Sequence, residues 1–178
     1  GVIKNVSLGV PVDINIENAI ASMAACWIAG ATDEELRTGI ATYQGAKRRF
    51  DFWLRQAQMP VVIDDYAHHP DELRASILSI KELYPERRLT VIFQPHLYSR
   101  TQDFAPQFAE ALSIADEVWL TEIYPARELP IPGVTSEIIL NDIKCDNKSI
   151  CEKKCLIERI KNHNFDVLLT VGAGDICD

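Results

Sequence analysis

The chain has 178 residues, 47% of them hydrophobic and 25% charged, with 8 Gly and 9 Pro. These ordinary globular values exclude disordered, collagen-like and coiled-coil chains and allow one full domain with part of a second. Lys and Arg number 18 against 26 Asp and Glu, a net charge of −8, which speaks against a nucleic-acid duplex as main partner because phosphate neutralisation needs a basic face. A small phosphorylated ligand needs only a few local cations and stays open. No apolar run approaches the roughly 18–20 residues that span a bilayer, so no membrane insertion is expected. Cys26, Cys145, Cys151, Cys155 and Cys177 are odd in number and lack CxxC spacing, a usage that suits a reducing cytoplasm and speaks against a zinc site. The start, Gly1-Val2-Ile3-Lys4, has neither the charged region nor the cleavage site of a secretion signal. Its first strand-like stretch has no evident partner, so the chain is expected to be part of something longer.

Residues 15–29 are Ala-rich with apolar positions at helical spacing, and Gly30 follows as a C-terminal stop. Thr32, with Glu35 three residues on, has the form of a capping box opening a second helix that runs to about residue 42. Two helices in some 45 residues cannot enclose a core, so they read as the tail of a larger domain. From Lys47 the rhythm changes. Strands are predicted at 50–54, 61–65, 89–94, 117–123 and 166–171, and helices at 70–84, 101–114, 136–143 and 151–162. This alternation predicts an α/β fold with a mostly parallel sheet flanked by helices, whose functional groups gather at the C-terminal strand ends. Trp27, Trp53 and Trp119 fall in apolar patterns and are expected in the core.

Asp64-Asp65-Tyr66-Ala67-His68-His69-Pro70 sits at a strand end and helix start. Two carboxylates, a phenol and two imidazoles in so short a run are costly to bury without partners. They read as a polar substrate site, with helix capping by Asp65 or a Zn or Mn site as the alternatives. Gln94-Pro95-His96-Leu97-Tyr98-Ser99-Arg100-Thr101 occupies the same place in the following βα unit. Loops of consecutive parallel strands lie side by side, so His68, His96 and Arg100 are expected to converge. Arg100 offers a forked donor for carboxylate or phosphate. The third strand exits at Glu122-Ile123-Tyr124-Pro125-Ala126-Arg127-Glu128, another polar mouth. Lys47-Arg48-Arg49 is read by itself as a solvated charged face. Asn15 and Asn18 share a helix face, where amides read a base edge or serve as caps. Gly172-Ala173-Gly174-Asp175 lacks the third glycine and the helix of a dinucleotide turn and reads as a tight turn.

Taken together, these strings resemble the Mur ligases: NIEN from Asn15, YQGAKRRFD from Tyr43, IDDYAHHP from Ile63, FQPHLYSRT from Phe93, EIYPARE from Glu122, PIPG from Pro130 and VGAGDI from Val171. The resemblance implies a Rossmann-like C-terminal domain at 47–178 that brings the amino acid. It also implies that 1–46 are the helical tail of a truncated P-loop ATPase domain, since no GxxxxGK[ST] string occurs. The implied activity, for the intact protein and not for this chain alone, is ATP-dependent amide formation in peptidoglycan precursor synthesis. ATP, with Mg²⁺ held mostly by absent residues, phosphorylates the carboxylate of UDP-N-acetylmuramate, and L-alanine attacks the acyl phosphate. By motif match, Asn15 and Asn18 hold the adenine side of ATP, Arg49 reaches its phosphates and Asp65 binds its ribose. Tyr66, His68, His96 and Arg100 line the acceptor end, with Arg49 and His68 as the catalytic pair. Two departures from the family pattern weaken parts of this: Ile14 stands where His is frequent, and Leu97 where some members have Arg. The alternatives are the family's tripeptide-adding ligase and a stand-alone, non-catalytic binding module.

Overall fold

The computed structural model describes residues 2–10, 12–56 and 59–177, while the side chains of residues 13 and 14 lie outside that description, and with them the Ile14 departure. The chain divides into two compact units, Gly1–Lys47 and Arg48–Asp178.

The first unit holds helices α1 (Asp13–Ile28) and α2 (Asp33–Thr42). Gly30, at φ +99°, ends α1 in a Schellman turn: Ala31 N donates to Cys26 O and Gly30 N to Trp27 O, both at 3.0 Å. The capping box of α2 forms as predicted, with Thr32 N donating to Glu35 at 2.8 Å and Glu35 N to Thr32 Oγ1 at 3.3 Å. Thr32 N and Thr32 Oγ1, both donating to the Glu35 carboxylate, hold it below the usual carboxylate range. Among the described residues of this unit only Val10, Val12 and Leu36 are buried hydrophobics, whereas Ile20, Trp27 and Ile28 are 64%, 58% and 81% exposed. The expectation that Trp27 is a core residue is therefore corrected.

The second unit carries a six-stranded sheet in the order β1-β2-β6-β3-β4-β5. Its strands are β1 (Asp51–Leu54), β2 (Val61–Asp65), β3 (Leu89–Phe93), β4 (Glu117–Leu120), β5 (Asn147–Ile150) and β6 (Val167–Val171). Only β1 runs antiparallel, against β2; the β2–β6, β6–β3, β3–β4 and β4–β5 pairs are parallel. The helices are α3 (Pro70–Leu83), α4 (Tyr98–Leu112), α5 (Glu137–Leu140) and α6 (Lys153–Lys161). Strands β3 and β6 are buried along their whole length, as expected of parallel strands covered on both faces. Alternation sends Ile92 and Phe93 to opposite faces. Phe93 packs on Phe108 of α4, ring centroids 5.1 Å apart, while Ile92, Trp119 and Leu168 pack with Leu156 of α6. Each such side chain contributes about 1.5–3 kcal/mol on full burial.

Three sequence expectations change. Strand β5, missed in the sequence, is the polar stretch Asn147-Lys148-Ser149-Ile150; it has no apolar alternation because it is an edge strand with charged and polar side chains. Trp53 is 54% exposed on β1 while Trp119 is 1% exposed, so only the latter is core. Helix α4 starts at Tyr98, three residues earlier than predicted.

Candidate functional site

Strands β2 and β3 follow one another in the chain but are not neighbours: β6 lies between them. The reason offered for convergence of their loops is thus corrected, but the convergence itself is found. The β6 exit is thin enough to let the flanking loops meet across it. A Cβ on Gly172 would lie 2.7 Å from Gln94 O, and one on Gly174 would lie 2.8 Å from the Tyr124 side chain. Glycine is required at both by close approach. The site therefore occupies the crevice at the C-terminal strand ends, where an inserted strand interrupts the order.

From β2 come Tyr66, His68 and His69. Pro70 occupies the first helical position of α3, where a missing N–H costs nothing. His69 is the cap, not Asp65: its Nδ1 accepts from Asp71 N at 3.4 Å, and Glu72 accepts from the backbone N–H of His68 and His69 at 3.0 and 3.2 Å. His68 Nδ1 lies 3.0 Å from Tyr66 O. A carbonyl only accepts, so Nδ1 carries a proton, and in the neutral ring Nε2 is the nitrogen with the lone pair. The rings of Tyr66 and His68 are 5.5 Å apart, and those of His68 and His96 6.3 Å.

From β3 comes His96, which bridges in parallel to Tyr124 beyond β4 and stacks on its ring at 5.7 Å and 17°. Leu97 then takes φ +70°, a left-handed backbone that a branched side chain adopts only under constraint. The constraint is visible: Leu97 N donates to Tyr124 O at 2.9 Å, and its carbonyl accepts from Thr101 N at 3.1 Å and Thr101 Oγ1 at 2.7 Å. The turn launches α4 so that Arg100 Nη1 stands 3.4 Å from His96 Nδ1. Burial, with Arg100 and His68 close by, holds the His96 imidazole below its usual 6.5. His96 is neutral at physiological pH, its Nδ1 accepting from Arg100. Glu128 accepts from Ser99 N at 2.9 Å and Ser99 Oγ at 2.5 Å, bonds that keep its carboxyl below the usual range. Arg100 is thereby left without a carboxylate partner among the described residues, a guanidinium available to an anionic ligand.

The other sequence-predicted residues are placed as follows. Asp65, at the end of β2, accepts from Ser76 Oγ and, at 3.3 Å, from Phe50 N. Burial pushes its carboxyl up, and neighbouring Asp64 adds to this. Arg49 is exposed and has no side-chain partner among the described residues. Asn15 and Asn18 belong to the first unit, beside a groove that Leu8, Gly39 and Tyr43 also line. Asn15 Nδ2 donates to Val10 O at 3.2 Å. Tyr66, His68, His96 and Arg100 are thus brought together on the second unit. Among the described residues no group of three or more His, Cys, Asp or Glu side chains could hold a metal ion.

Sequence reasoning passed over Arg48, Gln94 and Tyr124. The charge run predicts a solvated Arg48, yet its Nε donates to buried Asp64 at 3.2 Å, Nη1 to Gly174 O at 3.0 Å and Nη2 to Gly172 O at 2.7 Å. Gln94 is 4% exposed and donates to Asp175 Oδ1 at 2.9 Å. Asp175 is also paired with Lys153 at 2.8 Å, and those two contacts, Lys153 first, lower its pKa. For Gln94 the signal available is a polar residue directly after an apolar strand.

Comparison with known proteins agrees with this fold. Residues 48–174 match the family model described as Mur ligase, glutamate ligase domain. The UDP-N-acetylmuramate–L-alanine ligase of Parabacteroides distasonis is 55% identical over 174 residues, 98% of this chain and 37% of that protein. The crystal structure of UDP-N-acetylmuramate–alanine ligase from Thermotoga maritima superposes with a TM-score of 0.79 at 32% identity, over 97% of this chain and 37% of its own. A murein peptide ligase from Psychrobacter arcticus shares the fold, with a TM-score of 0.59 at 22% identity over 95% of this chain and 36% of its own. The chain therefore spans well under half the length of the relatives it matches. With its family match extending from Arg48 through the Gly174 loop, and so across every strand-end loop of the second unit, the chain belongs to the Mur ligase family.

Proposed function

We propose that this chain is the C-terminal portion of an ATP-dependent ligase that joins L-alanine to UDP-N-acetylmuramate in peptidoglycan precursor synthesis, a cytoplasmic step. The observation that carries the reading is the 55% identity to a ligase of that name along 98% of the chain. In this reading residues 1–46 are the end of a central ATP-binding domain and 47–178 the amino-acid-binding domain. No helix of the described residues is long and apolar enough to cross a membrane, which fits a substrate met in solution.

The chemistry assigns each group a task. The γ-phosphoryl group of ATP passes to the lactyl carboxylate, giving an acyl phosphate and ADP. The amine of alanine then attacks the carbonyl carbon, the C–N bond forms, the C–O bond to phosphate breaks, and inorganic phosphate leaves. A carboxylate is a poor acyl donor at neutral pH, so catalysis consists of positioning and charge stabilisation. Arg100, forked and unmatched by a carboxylate, binds the alanine carboxylate. Neutral His96, stacked on Tyr124, and Tyr66 line the same end. His68, with Nδ1–H committed to Tyr66 O, offers Nε2 as the nitrogen that takes a proton from the attacking amine. Arg49 approaches the transferring phosphate, Asp65 the ribose, and Asn15 and Asn18 the adenine. Mg²⁺ accompanies ATP in this reading, and no step assigned to these residues depends on it.

The test is phosphate release by the intact ligase with ATP, Mg²⁺ and UDP-N-acetylmuramate. Release that requires L-alanine supports the proposal. Release that requires the tripeptide instead transfers the assignment to the tripeptide-adding ligase, and no release with either acceptor leaves a binding module.

A further inference from the structure

We propose that Arg48 is a positioning residue for Arg49: its guanidinium clamps the first turn of the second unit to the β6 exit and fixes where Arg49 stands. The proposal rests on the ligase reading above. Asp64, fully buried, accepts from Arg48 Nε and from Thr170 Oγ1 at 2.7 Å, so one arm of the fork is held by a buried charge. The other two nitrogens reach the carbonyls of Gly172 and Gly174, and the guanidinium carbon lies 5.0 Å from the centre of the Tyr66 ring. One side chain thus joins the residue before Arg49, the end of β2 and the end of β6.

The backbone gives the clamp a purpose beyond stability. Arg48 and Phe50 take φ +58° and +50°, left-handed values that bulky side chains avoid. They flank Arg49 on both sides. This strained bracket is held at every point: Arg48 N donates to Asp51 Oδ2 at 3.3 Å, Tyr66 N to Arg48 O at 2.7 Å, and Phe50 N to Asp65 Oδ1 at 3.3 Å. Phe50 itself is 5% exposed. Strain concentrated around an exposed, unpartnered arginine, and over-determined by its surroundings, is the pattern of a residue held for function. The clamp makes Arg49 part of the same rigid body as His68, His96 and Arg100. Lysine cannot replace it, because a single ammonium does not span three acceptors held by three guanidinium nitrogens.

Arg48→Lys is the informative variant, since Arg48→Ala leaves Asp64 as an uncompensated buried charge and threatens the fold. In the chain itself, Arg48→Lys is expected to raise hydrogen exchange at the Tyr66 and Gly172 amides about tenfold, with Ile63 and Leu169 unchanged. Unaltered exchange at Tyr66 and Gly172 overturns the clamp. In the intact ligase, Arg48→Lys is expected to lower kcat by about 10- to 100-fold, the effect of an ångström-scale misplacement, with the KM for alanine unmoved. The Arg48→Lys/Arg49→Ala double variant should be no slower than Arg49→Ala alone. Multiplicative losses would overturn action through Arg49, because independent sites add in free energy. If the wild-type ligase releases no phosphate with alanine, the ligase reading falls and the positioning role with it, whereas the exchange result reports on the clamp separately.

Discussion

Arg100 and His96 are four residues apart across the Leu97 turn, and their pairing bears on the charge of His96. With Nδ1 of His96 accepting from Arg100, protonation of that imidazole would place two cations in contact. The expected titration of His96 followed by NMR therefore has its midpoint below 6.5. Arg100→Ala should move that midpoint upward, because it removes one of the causes of the shift; a midpoint that stays put would detach His96 from Arg100. The sign for stability follows from linkage. Well above pH 6.5 the folded and unfolded chains both carry neutral His96. As pH falls below that value the unfolded chain takes the proton first, so stability declines until the pH passes the lowered folded pKa. The functional counterpart is the intact ligase carrying Arg100→Ala, whose KM for L-alanine should rise by about 10- to 100-fold, the loss of a charge-assisted bidentate contact worth about 1.5–3 kcal/mol. Its KM for ATP should change far less. Equal rises in both constants would remove Arg100 from the amino-acid end.

At the scale of elements, two glycines separate backbone conformation from close approach. Gly133 has φ +81° with nothing near its Cβ position, whereas Gly172 has φ +148° and would place a Cβ 2.7 Å from the backbone oxygen of Gln94. Gly133→Ala should cost only the left-handed conformation, about 1–2 kcal/mol. Gly172→Ala must also separate β6 from the β3 exit and should cost more, about 3–4 kcal/mol, read from denaturant midpoints at unchanged m. Equal costs would mean that the β3 and β6 exits are not tightly apposed. The same loop shows how far the sequence could be read. Helices and buried strands were legible because apolar period and caps are local: the Thr32 box, Pro70 opening α3 and the run Leu89–Phe93 all lie where the pattern puts them. Insertion of β6 between β2 and β3 is a long-range fact with no local signature. It decides that Gly172 and Gly174 lie between the site loops. Arg48 was illegible for a related reason: two of its three acceptors, the Gly172 and Gly174 carbonyls, lie more than a hundred residues away, so a charge run reads as solvated. The residues now grouped at the site were named because polar side chains directly follow apolar strands. The tautomers, the Leu97 turn and the cap at His69 needed coordinates.

For the molecule as a whole, the two units differ in how much of their apolar surface is put away. The second unit surrounds its sheet with fully buried residues such as Ile63, Leu73, Phe93, Phe108, Trp119 and Leu169. In the first, the hydrophobic residues that α1 presents at Ile20, Trp27 and Ile28 stay largely exposed, and an apolar depression is lined by Ile16, Ile20, Met23 and Trp27. At about 25 cal/mol per Å² of apolar surface, a unit with so few buried side chains gains little over its chain entropy. Local opening should therefore be easy in the first unit and should require global unfolding in the second. Brief proteolysis of the 178-residue chain is expected to cut first within 2–47 and to leave 48–177 intact. In the intact ligase the same bonds should resist, because the proposal has residues outside this chain covering the face of α1. If the isolated chain protects 2–47 as well as it protects the sheet, the first unit is complete in itself, and its assignment as the end of a larger ATP-binding domain fails.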